Sequence, residues 1–596
     1  MLQKIGTSLF LLALLVFTLM PGLDSYRLTP ETLAVSKQYH RQEILAQADA
    51  AGMNGKEYRT VFGFAADLKN ALKKAQQALN DKAATGIPQG VSEWDFKLGD
   101  WEIKEYIFQT AKKSGAGLVS QNPWLFFLLT IGLGILGGLL YILPKFKTLP
   151  GIKNNHVYHR PMTKGLRLGA RAFFLGATFV AVLVYGVFYM NGDPLFPILT
   201  VIVAALITGL VLFYEKQKRN APDRSASPGL TGWLGVLTGI YLIGFYVVLY
   251  WSPQFVTPWV TMVTPLSRAL SGNEASQWFL YGLLYTVIVL VMGMRMIAKY
   301  RHNRYQIVRT CSVMFFQTAF AFLIPEILVR LNQPYFDFKN IWPLNYTFFF
   351  DWNLNTLLQS GGLGIFMLVW GITLIVVAVP VITYFYGKRW YCSWVCGCGG
   401  LAETLGDPYR QLSDKSLKAW KFERWIIHGV LVFAIVMTGM VLYTYFTGAH
   451  KVLFLSSDSV RGWYGFLIGS AFAGVVGTGF YPLMGNRVWC RFGCPLAAYL
   501  GLVQRFKSRF RITVNGGQCI SCGNCSTYCE MGIDVRWYAQ RGQDVVRASC
   551  VGCGICAAVC PRGVLRLENA GEDVSERTKA LRVVHVKESE VRLLKK

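Results

Sequence analysis

Apolar runs long enough to cross a bilayer as helices fall near 123 to 143, 169 to 190, 195 to 214, 232 to 251, 278 to 297, 309 to 330, 362 to 386, 425 to 446 and 462 to 484. A further run, about 7 to 21, follows Lys4 and has a short core with no clear small-x-small site after it. Residues 1–21 therefore read as a signal anchor or signal peptide, with an uncleaved anchor favoured. The pattern predicts a mainly α, polytopic helical membrane protein. Composition agrees, since 53% of the 596 residues are hydrophobic and only 16% are charged.

The polar stretches between the runs alternate in charge. Segments 144 to 167, 215 to 231, 298 to 308 and 387 to 424 are basic, whereas 191 to 194, 252 to 277, 331 to 361 and 447 to 461 are poor in Lys and Arg. The basic loops should be cytoplasmic, in an inner (cytoplasmic) membrane. This places the C-terminus in the cytoplasm and residues 22–120 on the outer side. The same bias accounts for most of the formal net charge of +27, and no basic patch with interleaved aromatics forms a nucleic-acid module.

The chain divides into the N-terminal segment 1–21, an outer-side domain 22–120, transmembrane helices 121–300, a second transmembrane region 301–500, a cysteine-rich module 501–570 and a tail 571–596. Residues 22–120 are rich in Ala, Leu, Lys and Gln, with no cysteine and one histidine, His40; they read as a small helical docking or spacer domain. The aromatic stretch at 332 to 362 reads as an interfacial belt.

Cysteine spacing carries the chemistry. Cys519, Cys522, Cys525, Cys529 and then Cys550, Cys553, Cys556, Cys560, with Pro561 after the last, repeat C-x2-C-x2-C-x3-C. Eight thiolates so spaced hold two [4Fe-4S] clusters in an α+β fold of the bacterial ferredoxin type. Three thiolates on one tight loop wrap three corners of a cube, and the distant fourth closes the other cube. Cys519, Cys522 and Cys525 thus group with Cys560, and Cys550, Cys553 and Cys556 with Cys529. Gly523, Gly552 and Gly554 suit such loops. Structural zinc is the weaker reading of two complete runs, and disulfides do not suit a reducing compartment.

Five more cysteines follow two of the apolar runs: Cys392, Cys396 and Cys398 in WYCSWVCGCGG, and Cys490 and Cys494 in VWCRFGCPLAAY. The topology places both C-x3-C pairs at one membrane face. Cys392, Cys396, Cys490 and Cys494 would complete a third [4Fe-4S] cluster at the membrane boundary, with Cys398 as spare or substitute ligand. A dithiol pair, or a site that binds and reduces copper, is the competing reading. Lys388, Arg389 and Arg491 flank these motifs, either to offset thiolate charge or as cytoplasmic anchors. Cys311 reads as a packing residue. Glu326 is expected to pair with Arg330, and His428 to contact the interface; no facing histidines argue for haem.

On these motifs, roughly over residues 300 to 570, the chain resembles the membrane polyferredoxins typified by NosR, NapH and CcoG. It departs from them at Gly397, which replaces an expected proline, at the added Cys398, and in an outer domain without a flavin motif. The nitrous oxide pathway and a covalent flavin are therefore not carried over. The resemblance implies electron passage along or across a membrane in support of a reductase, or a part in metal-centre assembly. Together these features point to an electron-transfer subunit working between a cytoplasmic-side or quinone donor and a partner redox protein. Subunits of a membrane redox complex, a quinone and a ferredoxin are the expected partners. Two rivals are a copper-reducing assembly factor and a structural subunit of a larger respiratory complex. Clusters at one face do not cross a bilayer, so a quinone, a flavin or a partner must fill that gap.

Overall fold

The computed structural model describes residues 1–86, 91, 93–148, 233–449, 451–452, 455–515, 518–569, 583–587 and 590–594. It is mainly helical. Six of its helices are long and apolar enough to cross a membrane: Leu2–Gly22, Pro123–Lys147, Gln277–Tyr300, Arg304–Arg330, Gly361–Tyr386 and Leu417–Thr447. The expected spans 169 to 190 and 195 to 214 lie outside the described residues.

Two expected spans are built differently. Leu237–Trp251 meets Pro253–Leu270 at a bend of 112°. The segment 252 to 277, expected as a loop, is therefore largely a helix whose buried face, including Trp259, Met262 and Val263, packs into the helical body. Pro253 and Pro258 sit at the starts of two helical turns, where a missing N–H costs nothing. The run 462 to 484 forms one helical stretch, Ser457–Tyr464 passing directly into Gly465–Val476 and Gly477–Gly479, that breaks at Phe480 before the short turn Tyr481–Met484. Its glycines let neighbours approach closely, as where Gly469 meets the Tyr346 ring.

Residues 22–120 fold around their own core. Helices Gln38–Ala50, Val61–Thr85 and Asp100–Lys113 enclose Ile44, Phe64, Leu68, Leu72 and Ile107. His40 is fully buried, with its ring nitrogens 3.3 Å from the Tyr106 hydroxyl and 3.0 Å from the Phe96 carbonyl, and so serves the core. This domain and the cysteine-rich module touch opposite ends of one helix. At the start of Gln277–Tyr300, Lys112 donates to the Ala275 carbonyl at 3.1 Å and pairs with Glu274; at its end, Met296 and Tyr300 pack on Ile555. Twenty-four residues separate the two contacts, about 36 Å at the helical rise, comparable to a bilayer.

The aromatic stretch after Arg330 is not a simple belt. Phe336, Ile341, Phe348 and Phe350 are buried, and Ile341 shares a core with Cys392 and Cys396. Trp342 donates to Thr438 and Trp370 to the Phe338 carbonyl, fixing the stretch inward. In the module, Phe510–Val514 pairs antiparallel with Leu565–Asn569, with Phe510 opposite Asn569 and Val514 opposite Leu565. The tail carries a hairpin, Val583–Lys587 with Glu590–Leu594.

Candidate iron-sulfur sites

All fourteen cysteines are free. The structure gathers twelve of them into three sets. Cys519, Cys522, Cys525 and Cys560 line one open cavity together with Ile520, Arg536, Pro561 and Arg562. Burial pushes the Cys525 thiol up to about 12, and Cys522, Cys560 and Cys519 are the neighbouring thiols that add to it. The second set is deeper: burial raises Cys556, and Cys553, Cys529 and Cys550 follow as its neighbours, with Cys525 of the first set beyond them. Both crossed groupings predicted from the spacing are therefore spatial neighbours. Gly523, Gly552 and Gly554 hold positive φ of 81°, 61° and 73°, so the two loops make their turns at these residues. Four sulfurs around a cavity form a soft donor set that fits iron-sulfur ligation.

The third set joins Cys392, Cys396, Cys490 and Cys494. All four are buried in one core, and Cys494 lies within electrostatic reach of Cys490, Cys396 and Cys392. Cys398 lies beside Cys396, next to the set. Each pair rides on a turn of the same build. Gly387 and Gly485 have φ of 65° and 89° with ψ of 178° and 176°, and each opens G-x-R-x-x-C-x3-C. A side chain is strained at such φ, and at Gly387 it would also meet Gln504 and Phe510 at 2.6 Å.

Depth is a correction to the sequence reading. The pairs were expected at the membrane boundary, but a Cβ on Gly397 would meet Gln317 at 2.6 Å and Tyr285 at 3.6 Å. Gln317 stands thirteen residues into Arg304–Arg330, about 20 Å along its axis. The turn carrying Cys396 to Cys398 thus reaches the mid-height of the apolar helices. Its partner turn places Gly493 against Phe472, inside Gly465–Val476.

Buried charge connects the sets. The Arg487 guanidinium donates to Cys490 Sγ at 3.6 Å, to the Cys392 carbonyl at 3.2 Å and to Glu403, and pairs with Glu530 at 3.1 Å. Arg410 donates to Glu530 at 2.7 Å and faces Cys553 Sγ at 3.9 Å. Arg309 pairs with Glu403, and Lys299 pairs with Asp407 at 2.7 Å. Burial raises the Glu530 carboxyl, but Arg410 and Arg487 outweigh it and hold the group well below the usual carboxylate range. Glu403, Glu530 and Cys553 offer donor atoms within 4.8 Å of one another; the arginines already occupy both carboxylates, so we assign no metal there.

The flanking cations divide. Lys388 is buried, within reach of Cys392 and Cys550, and its N–H donates to Gln504, which donates in turn to the Cys550 carbonyl. Arg389 instead donates to Asn569 and lies over Phe510, while Arg491 pairs with Glu423 at 3.0 Å. Sequence reasoning missed Arg487, although it occupies the same place before Cys490 as Arg389 does before Cys392. It also missed Glu530, directly after Cys529, and Arg410, Arg309, Glu403 and Lys339, which carry no sequence signal. Lys339, almost buried beside Asp337, lies within reach of Cys396.

Two other expectations change. Cys311, expected as a packing residue, is exposed among the described residues. Glu326 lies near Ser271 and makes no ion pair with Arg330, whose guanidinium donates to the Ala269 carbonyl at 2.6 Å. His428 Nδ1 lies 2.6 Å from its own helix's Arg424 carbonyl.

Known proteins place these sites in context. A family described as "4Fe-4S binding domain" matches residues 368–417 and again 465–513, once over each C-x3-C turn, and a "4Fe-4S dicluster domain" matches 518–565. "Putative electron transport protein YccM" of Escherichia coli (strain K12) is 27% identical over 173 residues, covering 27% of this chain and 46% of its own. The methylamine utilization ferredoxin-type proteins MauN of Methylobacillus flagellatus and Paracoccus denitrificans are each 28% identical, over 24% of this chain and 50% and 48% of theirs. The chain thus spans about half the length of the curated relatives it matches. No solved structure matches it. These findings support a chain of polyferredoxin type, with iron-sulfur clusters and a role in electron transfer.

Proposed function

We propose that this chain is a multi-pass subunit of an inner-membrane redox complex that passes electrons along three [4Fe-4S] clusters. Cys519, Cys522, Cys525 and Cys560 hold the first, Cys550, Cys553, Cys556 and Cys529 the second, and Cys392, Cys396, Cys490 and Cys494 the third. The clusters supply one-electron chemistry, and the chain's own residues hold them in line and set the charge around them. The module faces the cytoplasm and residues 22–120 the outer side. A quinone or a partner redox subunit takes up or supplies electrons near the third site.

The observation that carries this reading is the seating of the second cysteine loop on the turn that bears Cys392. The Ser393 hydroxyl donates to the Val551 carbonyl at 2.7 Å, Tyr305 donates to Gly552 and Gln306 to Cys553. Cys525 neighbours Cys556, and Lys388 reaches both Cys550 and Cys392, so the three sets form one series. The series climbs from the module's surface to the mid-height of the apolar helices, which shortens the gap that clusters at one face would leave.

The test is rapid-freeze EPR of the anaerobic protein mixed with a reductant, with and without Cys556→Ser. Reduction of the third signal slowed at least about tenfold, with that signal's equilibrium potential kept, supports the series. Equal rates in the two proteins would leave the second site as a folding staple.

A further inference from the structure

The exposed charges of the module are all of one sign. Between residues 518 and 569 the exposed charged side chains are Arg536, Arg541, Arg562 and Arg566, and none of them is in an ion pair among the described residues. The four carboxylates of this stretch are buried or half-buried and accept hydrogen bonds within the fold. Glu530 accepts from Arg410, Asp534 from Ser526, Asp544 from the Val514 N–H and Glu568 from Thr513. Folding has turned the acids inward and left the arginines out.

Three of these arginines stand at the first cysteine site: Arg536 and Arg562 line its cavity, and Arg541 stacks on Trp537 at 3.8 Å from the ring centroid. Trp537 and Ile520 add apolar area, 43% and 54% exposed. The hydrogen bond of Gln540 to Ser521 and the approach of Arg536 to Gly523 keep the Cys519–Cys525 turn within the module, whereas the second loop is seated on the helices. The face at the first site is thus cationic, turned away from the helical body and next to the end of the electron series.

Resting on the reading above, we infer that this face docks a small, soluble, acidic one-electron carrier protein. Positive charge ringing an exposed redox site steers an anionic partner and orients it with its own centre toward the cavity, while Trp537 and Ile520 supply the short-range contact. One electron passes between the docked carrier and the first site; one is oxidised as the other is reduced, no bond changes and no proton moves.

The experiment uses the full chain, purified anaerobically in a neutral detergent, with an acidic plant-type ferredoxin as probe. Its binding to the immobilised chain and its rate of electron exchange are both measured, with a zwitterionic sulfonated viologen, uncharged overall, as small-molecule control. Raising ionic strength from about 0.01 M to about 0.15 M shortens the Debye length from about 30 to about 8 Å and should weaken binding and slow exchange about tenfold. Arg541→Glu should shift both in the same direction at low salt, Arg541→Lys should retain most of the rate, and the rate with the uncharged viologen should hold in both. Binding and exchange indifferent to salt and to charge reversal would overturn the inference. So would a charge-reversed protein that keeps ferredoxin binding and loses only attachment to vesicles containing phosphatidylserine, since the face would then be a membrane contact. Failure of viologen to reduce any cluster would instead overturn the electron-transfer reading, and the binding arm still judges the surface.

Discussion

The ferredoxin-type module and the paired C-x3-C turns use the same ligand chemistry in opposite settings. In the module all eight cysteines lie within 519–560, on two short loops shaped by left-handed glycines, with the first site open to solvent. Water and a rim of arginines surround its charge. The paired turns draw ligands from positions 94 residues apart between Cys396 and Cys490 and hold them at the mid-height of apolar helices. Water is excluded there, so thiolate charge needs partners built into the fold, and Arg487, Lys388 and Lys339 fill that need. The difference teaches that local spacing can specify a solvated site, whereas a buried one requires a lattice of counter-charges collected from the whole helical body.

The comparison breaks most sharply at the ligands. Cys392→Ser with Cys490→Ser should lower iron from about twelve to about eight per chain and remove one EPR signal, leaving the module's two, since each cluster carries four irons. Loss of all three signals would make the buried set a folding requirement for the module as well. Next in size is Glu530→Gln. It leaves the buried Arg410 and Arg487 without their shared carboxylate, and breaking a buried pair costs about 3–5 kcal/mol. Thermal unfolding in detergent should show a clearly lower midpoint, and an unchanged midpoint would remove the network from the account.

Two milder changes sharpen the contrast. Arg487→Gln withdraws positive charge from Cys490 and should lower the midpoint potential of the third signal by about 60 mV, a tenfold change in a one-electron equilibrium, with a smaller effect on the second. Arg410→Gln should reverse that preference, since its guanidinium faces Cys553. A redox titration followed by EPR reads both. Cys398→Ala should be the smallest: iron content stays constant and the third potential moves only slightly, because the thiol that is removed stands beside the set and is not one of its four ligands. A drop to about eight irons would instead make Cys398 a ligand.

Much of the module was legible from spacing alone, because its ligands and turn glycines are neighbours in sequence. The encounter of Cys392 and Cys396 with Cys490 and Cys494 was also legible, through topology. Their depth was not: an apolar run ending near 386 marks where a helix stops, and nothing in WYCSWVCGCGG says that the chain turns back into the body. The repeated G-x-R-x-x-C-x3-C was visible and would have identified Arg487. Glu403, Arg410 and Lys339 could not be read, because their partners are set by packing between distant segments. The segment 252 to 277 was misread as a loop for a related reason, since a proline break within apolar sequence becomes a bend only against particular neighbours.

The central claim is that three cubane sites share this chain. Iron and acid-labile sulfide per chain, measured on anaerobically purified protein together with low-temperature EPR through a redox titration, test it most directly. The account predicts about twelve irons with a matching amount of sulfide, and three signals titrating separately. About eight irons and two signals, with Cys392, Cys396, Cys490 and Cys494 all titratable as free thiols, would contradict it.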